Sequence, residues 1–103
     1  MQQQGSIHTF FDLRAWQHCH QLVLWVYTTT KTFPHDERYS LTDQIRRAAV
    51  SVTSNIAEGF SRSGRAEKVQ FYSIALGSIT EIQNQLILAR DVGYIQNDVY
   101  EQG

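Results

Sequence analysis

The sequence is poor in the residues that interrupt a chain, with 1 cysteine, 1 proline and 6 glycines in 103 residues. The lone Cys19 cannot form an internal disulfide, which excludes a disulfide-stapled scaffold. The lone Pro34 leaves long uninterrupted stretches at 10–32, 40–59 and 65–92, and no alternating strand pattern lies between them. An excess of one charge is also missing. Nine Lys and Arg stand against ten Asp and Glu, for a net charge of -1. No global positive field therefore draws in nucleic acid or an anionic membrane, and any such binding must be local. A basic-then-apolar leader and a long apolar run are both absent, so the chain reads as cytoplasmic, with no membrane partner.

What is present is one small domain. Residues 1–9, with Gln2, Gln3 and Gln4, read as a disordered tail. Residues 10–103 read as a single helical domain, too small to hold two cores. A core this thin favours self-association as a way to bury more apolar area.

In the first helical stretch, Leu13, Trp16, His20, Val23 and Tyr27 recur at helical steps, and Ala15, Cys19, Leu22 and Val26 form a second seam,. The two seams read either as two packing surfaces or as one wide core stripe. Pro34 and the polar residues after it make the first turn. Ser40 with Asp43 resembles a capping box opening the second helix. Its apolar stripe is Leu41, Ile45, Ala48, Ala49, Val52 and Ile56, and Gly59 either ends or bends it. The third helix carries Phe71, Ala75, Ile79, Ile82, Leu86 and Ala89, and Gly77 within it is expected to admit a close neighbour. Gly93 stops that helix, and a fourth begins near Asn97 or Asp98. The fold class is all-α, an antiparallel up-and-down four-helix bundle. Its fourth helix is short or truncated, so a further copy of the chain is a candidate to fill the groove.

Catalytic and metal chemistry find little support. His18, Cys19 and His20 are sequential, so on a helix the two imidazoles point about 160° apart and cannot share one metal unaided. Cys19 falls on an apolar seam and reads as a small hydrophobe, not a nucleophile. No glycine-rich phosphate loop is present. The expectation is no catalytic residue, no metal site and no cofactor. A small enzyme using His18, His20 or Glu58 is the weakest of the readings.

Two polar features are stronger. Gln44, Arg47, Ser51, Asn55 and Glu58 share one face of the second helix, either as a solvated surface or as a hydrogen-bonded network between helices or subunits. Basic charge gathers in residues 41–70, where Arg46, Arg47, Arg62, Arg65 and Lys68 outnumber the acids, while the segment after residue 70 is acidic. These five residues form either an ordinary solvated surface or a phosphate-contacting patch.

The run Gln44, Ile45, Arg46, Arg47, Ala48, Ala49, Val50, Ser51, Val52, Thr53, Ser54, Asn55, Ile56, Ala57, Glu58, Gly59 resembles the signature of bacterial four-helix proteins encoded in intervening sequences of 23S ribosomal RNA genes. Phe11, Leu13, Trp16, Leu22, Tyr27, Phe33, Pro34, Tyr39 and Leu41 extend the likeness. So do Phe71, Ala75, Gly77, Ser78, Glu81, Gly93, Tyr94 and Ile95, and the resemblance spans residues 10–96. It implies an antiparallel bundle that assembles into a ring, a homopentamer, with no enzymatic activity. A related group, the accessory variability proteins of diversity-generating retroelements, shares bundle and ring and binds a reverse transcriptase and nucleic acid through a basic surface. The expected partners are further copies of the chain, and RNA or a nucleic-acid-associated protein. The rival expectation is a protein-interaction scaffold with no nucleic-acid role.

Overall fold

The computed structural model describes residues 8–102. Most of the expected tail at 1–9 lies outside them. The described part of it, His8 and Thr9, donates both backbone amides to Asp12 Oδ2, at 3.0 and 3.2 Å. Those two donors hold the Asp12 carboxyl below its usual pKa, the His8 amide contributing most,.

Among the described residues every regular element is helical. α1 spans Arg14–Thr30, α2 Leu41–Ser61, α3 Arg65–Asp91 and α4 Asn97–Gln102. Single 3₁₀ turns lie at Phe10–Asp12 and His35–Glu37. The first helical stretch is therefore not continuous from residue 10. Leu13 is extended, with φ -72° and ψ 131°, and separates the short turn from α1. Asp12 explains the break, because its carboxylate gathers local amides into a tight turn instead of letting the helix propagate,.

α2 is the central helix. Arg46 near its start bonds Thr30 at the end of α1 and Ile56 near its end lines a groove with Ala15 at the start of α1, while Ser51 bonds Ser78 of α3 and Gly59 meets Tyr72 near the start of α3, so α2 runs antiparallel to both. Its expected stripe, Leu41, Ile45, Ala48, Ala49, Val52 and Ile56, is buried throughout. α1 contributes Val23, Val26 and Thr30 to the interior. The wider seam residues Leu13, Trp16, Cys19 and Leu22 are only partly covered. α1 and α3 face each other across an apolar groove of about 460 Å³ lined by Leu13, Ala15, Cys19, Ile56, Tyr72 and Ile79 among others. The partial burial raises the Cys19 thiol pKa,.

α2 continues past Gly59 to Ser61. Gly59 is there for space: a Cβ on it would stand 2.5 Å from Tyr72 Cε1 and 3.2 Å from Phe71 Cβ. Gly77, expected to seat a close neighbour, has none; a Cβ there would meet nothing within 4 Å. Gly93, at φ +87°, ends α3. Its N–H bonds Arg90 O at 3.1 Å, and the Tyr94 N–H bonds Ala89 O at 2.8 Å, the paired pattern of a Schellman cap,.

The expected capping box of Ser40 and Asp43 does not form, and Ser40 makes no side-chain cap bond. Glu37 takes its place. Its Oε1 accepts the Leu41 N–H at 3.3 Å and the Ser40 hydroxyl, and its Oε2 accepts the Tyr94 hydroxyl at 2.7 Å. Asp43 instead pairs with Arg47. The Ser40 hydroxyl, then Tyr94, then the Leu41 amide hold the Glu37 pKa below the usual carboxylate value. The same bond, seen from the other side, raises the Tyr94 pKa, with Glu37 as the main cause. Phe33 and Tyr94 meet at 5.5 Å between ring centroids, so the first turn and the segment after α3 close one end of the bundle together.

Candidate nucleic-acid interface

The five expected cationic residues fall into two groups at opposite ends of α2. From Arg46 to Arg62 a helix rises about 24 Å at 1.5 Å per residue, so they do not form one patch.

In the first group, Arg46 is engaged within the fold. Its Nε donates to Thr30 Oγ1 at 2.8 Å and its Nη2 to Tyr27 O at 3.4 Å. The guanidinium also stacks 4.8 Å from the centroid of the Tyr27 ring. The Thr30 hydroxyl in turn donates to Val26 O at 2.7 Å. Arg46 thus satisfies the C-terminal turn of α1, where a cation also complements the helix dipole. Arg47 is 79% exposed and pairs with Asp43 at 2.9 Å. Such a surface i, i+4 pair is weak and easily exchanged for another anion.

The second group surrounds the α2–α3 turn. Arg62 pairs with Glu58 at 2.7 Å and lies 5.0 Å from the Phe71 ring centroid. Lys68 Nζ donates to Gly59 O at 3.1 Å and Phe60 O at 2.9 Å, reaching back from α3 to satisfy the end of α2,. Arg65 opens α3, is exposed, and has no ion-pair or hydrogen-bond partner among the described residues. The turn therefore presents one uncommitted guanidinium beside one held in an exposed pair.

The polar stripe of α2 divides as well. At its centre Ser78 Oγ donates to Ser51 Oγ at 2.8 Å. Asn55 Nδ2 donates to Ser51 O at 2.8 Å and to Ser51 Oγ at 3.0 Å. This part is an inter-helix network. Gln44, Arg47 and Glu58 lie at the solvent.

One participant, Ser78, and one buried polar neighbour, Gln85, lie outside the expected stripe. Ser78 was visible, since it sits three residues after Ala75 and four before Ile82 on the buried face. Gln85 continues that face and is 5% exposed, yet its Oε1 has no hydrogen-bond partner. A polar residue in an apolar repeat was the only available signal.

The histidine and cysteine cluster separates as helix geometry dictates. His20 stacks on Trp16 at 4.7 Å with an interplanar angle of 11°, His18 is exposed, and Cys19 turns toward the apolar groove. Among the described residues, no three of His, Cys, Asp and Glu gather where they could hold a metal ion. Among those residues, too, no helix is long and apolar enough to cross a membrane.

No curated protein matches the chain. A family profile described as 23S rRNA-intervening sequence protein matches residues 11–103. The resembling residues quoted above lie within that span, on α1, α2 and α3 and in the turns beside them. The chain belongs to the 23S rRNA-intervening sequence protein family.

Proposed function

We propose that this protein is a non-enzymatic, homo-oligomeric helical bundle of the bacterial cytoplasm that binds RNA through the α2–α3 turn. The observation that carries the reading is the state of the turn's cations: Arg65 is unpaired among the described residues, and Arg62 is held by an exposed ion pair and its contact with the Phe71 ring. The family's description, which ties it to ribosomal RNA genes, makes RNA the matching polyanion. Arg46 and Lys68 serve helix ends, so phosphate contact falls to Arg62 and Arg65, with Arg47 as a separate site at the far end of α2. One turn gives few phosphate contacts, and repetition around an oligomer, a pentamer in the family likeness, supplies the multivalency that useful affinity needs.

Binding of a 23S ribosomal RNA fragment over a salt series tests this. Affinity should fall steeply with salt, and Arg62→Ala with Arg65→Ala should weaken it and reduce the slope. Unchanged binding in that double variant would overturn the assignment. A protein-interaction scaffold is the second reading, favoured by the net charge of -1. A protein partner retained after nuclease treatment of a pull-down, together with no RNA binding at low salt, would establish it.

A further inference from the structure

The rings that precede and open α1 form a ladder that the fold leaves partly uncovered. Asp12 holds Phe10–Asp12 in a tight turn, and Gln17 Nε2 donates to Phe11 O at 3.0 Å, tying that turn to α1. Phe11 and Phe10 meet edge to face at 5.5 Å between centroids, and so do Phe10 and Trp16. Trp16 in turn stacks on His20, because residues four apart stand one above the other on a helix. Phe11 is 53% exposed and Phe10 36%, while Trp16 and His20 are half-buried. Single exposed aromatics are ordinary, but four contiguous rings on a turn fixed by hydrogen bonds make a recognition surface.

The ladder stands at the end of the bundle that carries the α2–α3 turn. Leu13, next to the ring-bearing turn, lines one groove with Ile56 and Tyr72, and Tyr72 abuts Gly59, whose carbonyl accepts Lys68. In a chain whose net charge is -1, this end sets Arg14, Arg62, Arg65 and Lys68 against Asp12, Glu58 and Glu67. Asp12 and Glu58 are already bonded, to backbone amides and to Arg62. Arg14 is exposed and, like Arg65, has no ion-pair or hydrogen-bond partner among the described residues. The matching occupant offers flat apolar faces to the rings and anions to the guanidiniums. Unpaired RNA does both, because each nucleotide carries a stackable base and a phosphate. A duplex keeps its bases in the stack and answers only the cations. An apolar protein helix answers only the rings.

We propose that the ladder of Phe10, Phe11, Trp16 and His20, with Phe11 foremost, stacks unpaired nucleotides of an RNA strand whose phosphates reach Arg14, Arg62 and Arg65. The inference rests on the RNA-binding reading above and narrows it from RNA in general to single-stranded segments.

Fluorescence anisotropy of the full chain with a labelled, unstructured RNA strand of about a dozen nucleotides, and with the same strand annealed to its complement, tests it. The single strand should bind more tightly than the duplex. Phe11→Ala removes an exposed ring and should weaken single-strand binding about fivefold or more, with Phe11→Trp restoring it and Phe11→Leu failing to. Stacking releases no counterion, so Phe11→Ala should keep the salt slope of the parent, whereas Arg14→Ala with Arg65→Ala should lower it. Tyr39→Ala, which removes an 85% exposed ring at the opposite end of the bundle, should change neither. A parental urea midpoint establishes that Phe11→Ala is folded. Absence of binding to either RNA at low salt would overturn both this proposal and the RNA reading. A duplex bound as tightly as the single strand, or single-strand binding unchanged in folded Phe11→Ala, would overturn this proposal alone.

Discussion

Replacing Gly59 with alanine isolates the closest approach between α2 and α3. The new Cβ would stand 2.5 and 2.9 Å from two Tyr72 ring carbons and 3.2 Å from Phe71 Cβ. The Tyr72 ring can swing away, but Phe71 Cβ is tied to the α3 backbone and cannot. Overpacking of this kind costs about 1–3 kcal/mol. Alanine in place of an interior helical glycine returns about 0.8–1 kcal/mol. The net expectation is a loss of up to about 2 kcal/mol, which lowers the melting midpoint by about 4–8 °C per kcal/mol at this chain length. Urea denaturation followed by circular dichroism, at fixed protein concentration so that association does not confound the comparison, measures it with an unchanged m-value. The decisive comparison is the double variant. In a Tyr72→Leu background the two ring contacts are gone and only the 3.2 Å approach to Phe71 Cβ remains, so Gly59→Ala should cost clearly less. An equal loss in both backgrounds would refute the steric account, as would a Gly59→Ala protein more stable than the parent.

Gln85→Leu should raise stability by about 1 kcal/mol, since it removes a buried carbonyl oxygen that has no donor,; a lower urea midpoint would show that the amide is satisfied after all. Arg46→Ala should cost about 1–2 kcal/mol by freeing the α1 terminus,. Arg65→Ala should leave the urea midpoint unchanged within about 0.5 kcal/mol, a contrast that separates the structural cation from the surface one. Glu37 has a depressed pKa, so its contribution is present above the ordinary value of 4.5 and is lost as pH falls through the lowered one,. The acid limb of a stability-against-pH curve should accordingly be shallower in Glu37→Gln, and parallel limbs would reject the role. Tyr94 is raised, so its contribution is present below 10.0 and is lost as pH rises through the higher value,; Tyr94→Phe should flatten that alkaline limb.

What the sequence revealed follows from range. Periodicity is a local signal, so the helices, the turn at Pro34, the α2 stripe and the stop at Gly93 could all be read from neighbouring residues. Capping was harder. Ser40 has the right chemistry, but Glu37 outcompetes it because it also reaches Tyr94, a partner 57 residues away. Gly59 and Gly77 look alike in the sequence, and only the position of Tyr72 separates a required glycine from an unexplained one. Among the site residues, five similar cations carried no mark of which ones serve helix ends. Arg46 and Lys68 are committed through carbonyl and hydroxyl acceptors that no charge count can see.

The central position of α2 shapes how the molecule opens. α2 is packed on both flanks, and the Schellman cap and the Ser51–Ser78 bond tie down α3. α1 is fastened mainly through α2, with the Arg46 clasp at one terminus and an open groove along its other side. The least costly excursion from the native state is therefore the peeling of α1, with the α2–α3 hairpin left standing as a cooperative unit. Amide protons of α1 should exchange with solvent faster than those in the middle of α2. Whatever fills the groove between α1 and α3 would slow them, so exchange in α1 reports on occupancy of a surface that α1 itself only half builds.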